Sequence, residues 1–201
     1  MSEDLQTEEQ ILEAAKKVFH KQGFSGARMQ EIADEAGINK SMLHYYFRSK
    51  DKLFQKVFQD SVRQFFPVIF NVLDSDLALV SKVEKLVETY YDIFREHPHL
   101  PRFVIHEMNQ HPSRFKEFMD GAGIEIPAKF IEQIRAEIEA GKMKPIQPKA
   151  FIINTIALCV FPVIAQPMIE TVFQMDDEQY RQFLEKRKKE LPTFILNAVK
   201  K

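Results

Sequence analysis

Gly37-Ile38-Asn39-Lys40-Ser41-Met42-Leu43-His44-Tyr45-Tyr46-Phe47-Arg48-Ser49-Lys50-Asp51-Lys52-Leu53-Phe54 has the pattern of a turn, a short helix and the start of a longer one. Gly37 suits the left-handed backbone of such a turn. Asn39 is an N-cap whose side-chain oxygen can accept from an unpaired first-turn N–H, so a helix is expected from Lys40 to Phe47. At about 100° per residue, Leu43 and Phe47 point together, whereas Ser41 and Tyr45 point away, flanked by Met42 and His44. An aromatic, polar and basic face is left for solvent. Ser49 then caps a fourth helix carrying Leu53, Phe54, Val57, Phe58 and Val62, and Phe65-Phe66-Pro67 is expected to bend or stop it.

Upstream, Thr7 followed by Gln10 forms a capping box, and Ile11, Ala15, Val18 and Phe19 mark one face of a helix that stops at Gly23. After Phe24-Ser25-Gly26, the residues Met29, Ile32, Ala33 and Ala36 share one side of a short helix ending at Gly37. Three helices within the first 48 residues, the last two joined by a tight turn, give the helix-turn-helix pattern, with the third helix as candidate reader of a major groove about 12 Å wide. The whole chain carries a net charge of −1 and has a pI near 6.6, so no global basic signature announces nucleic acid. Locally, Lys40, Arg48, Lys50, Lys52 and Lys56 stand against Asp51 alone, a pattern that also fits an ordinary solvated helix face.

The stretch from Gly37 to Phe54 closely resembles the signature of the TetR family of transcriptional regulators, and so do Ile11-Leu12-Glu13-Ala14-Ala15 and Gln30-Glu31-Ile32-Ala33-Asp34-Glu35-Ala36. The specific resemblance spans roughly residues 7 to 56; beyond that only the helical layout agrees. It implies that Lys40, Ser41, Met42, His44 and Tyr45 read bases or line the groove, that Tyr46 and Lys50 contact phosphates, and that Leu43 and Phe47 are structural. A phosphate contact fixes register without reading sequence, so Lys50→Ala is expected to weaken binding to every duplex and flatten the salt slope by about one unit. The family commonly places threonine or serine just before the second helix. Ala27 and Arg28 stand there instead, and Arg28 is the candidate substitute, with a solvent-exposed loop arginine as the alternative.

The remainder is expected to be helical throughout. Gly is scarce, at 6 of 201 residues, and Glu, Lys, Gln, Leu and Ile recur at three-and-four spacing. A helix with Leu79, Val83, Leu86, Tyr90 and Phe94 reaches His97 before Pro98 and Pro101. Two shorter pieces run from Pro101 to about Gln110 and from Pro112 to about Met119; Gly121-Ala122-Gly123 then interrupts, and a helix from about Pro127 to Ala140 ends at Gly141. Phe151 to Phe161 is apolar on nearly every face. A last helix begins near Asp176-Asp177, and a kink is expected in it at Pro192. The expectation is an all-α protein of about nine helices: a helix-turn-helix DNA-binding domain over 1–48 and a helical ligand-binding and dimerisation domain over 49–201.

In the family the last two long helices of each subunit form a four-helix interface, and two-fold pairing with the Asp177–Ala198 region would cover the uniformly apolar Phe151–Phe161 segment, a wholly intrachain core helix being the alternative. The implied function is a repressor, a homodimer that grips a palindromic double-stranded operator and leaves it when a small apolar or amphipathic effector binds, with the fourth helix as the lever. The candidate effector residues are Tyr90, Phe94, Phe103, Glu107 and Met108, each also readable as core. A ligand-independent architectural or activating factor, and a helical interaction protein without DNA binding, are the alternatives.

Other signals point away from chemistry. His106 and His111 are five apart, about 140° round a helix, unlike the four-residue spacing of a zinc-protease pair. Lys186-Arg187-Lys188-Lys189 is bracketed by Glu185 and Glu190, as on a solvated face, and Cys159 is a lone cysteine in an apolar run. No phosphate-cradling glycine loop and no nucleophile–base pairing is visible, so neither an enzyme nor a cofactor is expected. Met1-Ser2-Glu3-Asp4 does not open like a secretory signal, and the apolar run from Phe151 to Ala165 is shorter than the roughly 20 residues of a bilayer span, giving a cytoplasmic expectation without a membrane.

Overall fold

The computed structural model describes residues 2–121 and 125–201, without the side chains of Ser2, Glu3 and Gln64. Eleven α-helices and no strand lie among the described residues; an isolated antiparallel bridge joins Met143 to Lys200. The expected break at Ala122-Gly123 falls outside them.

The chain divides into two compact units. The first comprises residues up to 64 together with 103–122. It holds α1 (Ser2–Gly26), α2 (Met29–Glu35), α3 (Lys40–Tyr46), the first part of α4 (Lys50–Asp74), most of α6 (Leu100–Gln110) and α7 (Pro112–Gly121). Ile11, Ala15, Phe19, Ile32, Ala33, Leu43, Leu53, Phe54 and Val57 are wholly buried, which reproduces the apolar faces read from spacing. Aromatic packing explains why 103–122 belongs here: Phe103 lies 5.5 Å from Phe54 and 5.7 Å from Phe58 between ring centroids, and Phe118 lies 5.3 Å from Phe58. Compactness groups 49–64 and 103–122 with the first 48 residues, after which a domain boundary is expected from sequence.

The second unit comprises residues 65–102 and 123–201. It holds the end of α4, then α5 (Leu79–Glu96), α8 (Ala128–Glu139), α9 (Pro148–Ile164), α10 (Gln166–Phe173) and α11 (Asp177–Val199). Val83, Leu86, Val87, Phe130, Ile134, Phe151, Cys159, Leu191 and Ile195 form its core, contributed by α5, α8, α9 and α11. Lys82 is buried, and its ammonium donates to the Leu73 carbonyl at 2.7 Å, supplying a donor to the last turn of α4. Asp176 caps α11 by accepting from the Gln179 N–H at 2.8 Å, and the Gln179 side chain accepts in return from the Asp176 N–H at 3.0 Å.

Three expectations change. The helix count among the described residues is eleven and not about nine, chiefly because α10 lies between the expected end at Phe161 and the expected start at Asp176: after Ala165 the axis turns by 71° and Pro167 opens a new helix. α1 begins at Ser2, five residues before the Thr7 start, since nothing ahead of Thr7 opposes helix and acidic residues suit a first turn. α4 does not stop at Pro67 but runs on to Asp74, leaving the Arg63 carbonyl without its usual N–H partner.

Candidate nucleic-acid interface

The turn before α3 has the geometry its sequence demands. Gly37 sits at φ 67°, and the Asn39 side chain accepts from the Met42 N–H at 2.8 Å. Leu43 is wholly buried and Phe47 is 8% exposed, anchoring one side of α3 in the first unit. On the other side Tyr45 is 81% exposed, Met42 is partly open at 37%, and Lys40, Ser41 and His44 are exposed. The five residues assigned to base reading thus share the open side of α3.

The residues assigned to phosphates fare differently. Tyr46 is half-buried; its hydroxyl donates to Asp4 Oδ1 at 2.9 Å, and this hydrogen bond, followed by desolvation, raises its pKa. The Lys50 ammonium donates to the carbonyls of Phe24 at 2.9 Å and Ala27 at 3.1 Å, closing the end of α1, so one of its three N–H donors remains. Arg28 is exposed at the N-cap of α2, where Glu31 reaches back to its backbone N–H at 3.3 Å, and Ala27 is buried. Arg48 and Lys52 are also exposed beside α3. Sequence reasoning counted them as local charge and did not single them out, because only the structure shows that Lys50 directs two of its donors to the Phe24 and Ala27 carbonyls while Arg48 and Lys52 are exposed.

The five effector candidates do not gather in one unit. Tyr90 and Phe94 lie in the core of the second unit, with ring centroids 5.6 Å apart, and burial pushes the Tyr90 hydroxyl above its ordinary pKa. Phe103 and Glu107 are buried in the first unit, and Met108 is 40% exposed. Among the described residues neither carboxylate oxygen of Glu107 finds a hydrogen bond, and burial raises its pKa against the opposing pull of His111, Arg114 and His106.

The basic run on α11 is not one patch. Lys188 pairs with Asp92 at 2.6 Å and Arg187 donates to the Leu158 carbonyl at 3.1 Å, leaving Lys186 and Lys189 outward. Among the described residues, no group of three or more His, Cys, Asp and Glu side chains is arranged to hold a metal. No single helix among them is long and apolar enough to cross a membrane; α9 and α10 reach that length and apolarity only taken together, across a 71° bend.

Comparison with known proteins agrees with this geometry. The profile for bacterial regulatory proteins of the tetR family matches residues 11–57, and the profile for the tetracyclin repressor-like C-terminal domain matches residues 80–191. The chain is 27% identical over 194 residues to YttP of Bacillus subtilis (strain 168), designated a probable HTH-type transcriptional regulator, covering 90% of each protein. It is 36% identical over 97 residues to the HTH-type transcriptional repressor NicS of Pseudomonas putida, covering 46% of this chain and 43% of NicS. The crystal structure of the hemolysin II transcriptional regulator HlyIIR superposes with a TM-score of 0.64 at 21% identity, covering 98% of both chains. These relatives are regulators of transcription, not enzymes.

Proposed function

The chain belongs to the TetR family of DNA-binding transcriptional regulators, and from that premise we propose that it is a cytoplasmic homodimeric repressor, released from a palindromic operator by a small effector. The observation that carries the DNA half is the single exposed face of α3: Tyr45 stands 81% open beside Lys40, Ser41, Met42 and His44, while Leu43 behind it is wholly buried. A helix so anchored presents donors, an aromatic ring and a thioether to a major groove without reorganising the head. Arg28, Tyr46 and the remaining donor of Lys50 supply phosphate contacts, joined by Arg48 and Lys52.

One short helix reads few base pairs, so a symmetric pair is needed. Its interface is proposed on α9 and α11. Ile153 (63% exposed) and Phe161 (51%) lie on one stripe of α9 with Ala157, and Phe194 (62%) and Ala198 lie on one stripe of α11. Between these helices runs an open, largely apolar groove of about 340 Å³ that includes Leu158, Phe194 and Ala198, ready for side chains of a second copy.

The effector is proposed to be apolar or amphipathic and to be held in the second unit, where Tyr90 and Phe94 offer aromatic walls. Phe103 and Glu107 are engaged by packing within the first unit, and Met108 offers only an exposed thioether. Converting a 99:1 population of DNA-competent dimers to 1:99 takes about 5.5 kcal/mol of differential effector binding.

The test is selection of bound fragments from the native genome at a fixed salt concentration, followed by a screen of compounds that displace the protein. The expected product is an inverted repeat whose half-sites lie roughly 34 Å apart. Tyr45→Ala is expected to blunt preference within the half-site by roughly tenfold, and Lys50→Ala to weaken all duplexes and flatten the salt slope by about one. Recovery of fragments without a common half-site, or undiminished preference in Tyr45→Ala, removes the reading.

A further inference from the structure

Gly23 breaks α1 at φ 67° and ψ 179°, backbone that only glycine adopts without strain, and Phe24 follows directly. Two cations meet the Phe24 ring: the Lys50 ammonium lies 4.5 Å from its centroid and the Arg114 guanidinium carbon 5.0 Å. Lys50 opens α4 and bonds back to the end of α1. Arg114 arrives on α7, 63 residues after Asp51, to whose Oδ1 its Nη2 donates at 3.0 Å. The same guanidinium lies 5.8 Å from the Phe54 centroid, and its other terminal nitrogen, Nη1, is buried without a hydrogen-bond partner among the described residues. His111 and Phe24 meet edge to face with centroids 5.6 Å apart, and the buried Glu107 carboxyl lies within electrostatic reach of both Arg114 and His111.

We infer that Arg114 is a positioning residue for DNA recognition: held by Asp51, Phe24 and Phe54 together, it fixes the first turn of α4, and with it α3, against the broken end of α1. The Asp51 pair alone carries little weight, since Asp51 is 58% exposed and such pairs are worth roughly 0–1 kcal/mol. Stacking changes that. A guanidinium lodged against both the Phe24 and Phe54 rings while one of its nitrogens donates to Asp51 is held from three sides, whereas a lysine can reach Asp51 but offers the rings no planar group. Arg114 touches no base or phosphate in this role; it acts by holding Asp51 and Phe24 in register, so that α3, just ahead of α4, keeps its exposed face in place. The affinity consequence rests on α3 being the DNA reader, whereas the ordering of the head does not.

The experiment compares the full-length wild type with R114M, R114K and D51N by hydrogen exchange and by binding to the duplex recovered from the genomic selection, with a scrambled duplex as control. R114M is expected to speed exchange of the amides of residues 40–54 roughly tenfold while those of α5 keep their rate, and to weaken the specific duplex by roughly tenfold. R114K should recover part of the ordering, and D51N should speed exchange in the first turn of α4. Wild-type exchange across 40–54 in R114M overturns the inference. If R114M does not fold, R114K and D51N decide: exchange at the wild-type rate in both overturns it. A wild type indifferent to every duplex sinks the DNA reading, while the exchange rates of the variants still decide whether the Arg114 contact orders the head.

Discussion

At the scale of single residues, burial decides chemistry. Cys159 lies wholly inside the second unit, and desolvation pushes its thiol up to about 12. Folded protein at pH 8 is therefore expected to react with iodoacetamide far more slowly than protein unfolded in guanidinium, as mass spectrometry of the alkylated product will show. Glu107 carries a raised pKa because it is buried without hydrogen bonds. The folded state then binds its proton more tightly than the unfolded chain, so its ionisation lowers stability as pH rises from the ordinary glutamate range through the raised value. Glu107→Gln should thus melt higher than wild type at pH 8, with the gap closing near pH 4; a variant that melts lower at pH 8 shows instead that His111, Arg114 and His106 more than compensate the charge. Gly23→Ala faces both the φ of 67° and the His106 ring, 3.1 Å from the added carbon, and should cost about 1–3 kcal/mol in denaturant unfolding.

At the scale of elements, α3 is too short to persist by itself and depends on its cap and on the burial of Leu43 and Phe47. Asn39→Ala removes the acceptor for the Met42 N–H and should cost about 1 kcal/mol, with a matching loss of affinity as the first turn frays; equal stability in a urea titration would show the cap to be redundant. α4, α9 and α11 each continue through an internal proline, at Pro67, Pro162 and Pro192. The Pro162 carbonyl accepts from the Tyr180 hydroxyl at 3.0 Å, a link between α9 and α11 that periodicity cannot anticipate.

At the scale of the molecule, the uncovered stripe on α9 and the end of α11 lead to a definite expectation about assembly. Burying each large apolar side chain is worth about 1.5–3 kcal/mol, and two-fold symmetry counts every residue twice. Phe161→Glu, at a position already 51% exposed, should leave the fold intact and convert a dimer to a monomer in sedimentation equilibrium. A wild type that sediments as a monomer at micromolar concentration would move the interface elsewhere and remove the basis for a palindromic operator.

The amino-acid order alone was enough for the helix-turn-helix, because capping, turn glycine and the Leu43–Phe47 spacing are local and act within a few residues of one another. It was also enough for the all-helical class, since the 3.6-residue period survives whatever the helices pack against. Tertiary structure decided what depends on distant partners: that Lys50 turns inward to Phe24 and Ala27, leaving Arg48 and Lys52 outside, that residues 103–122 join the DNA-reading unit through Phe103 and Phe118, and that Arg114 reaches Asp51. Side-chain destinations of that kind are set by which rings and carbonyls arrive from distant parts of the chain, and no periodicity within a single helix encodes them.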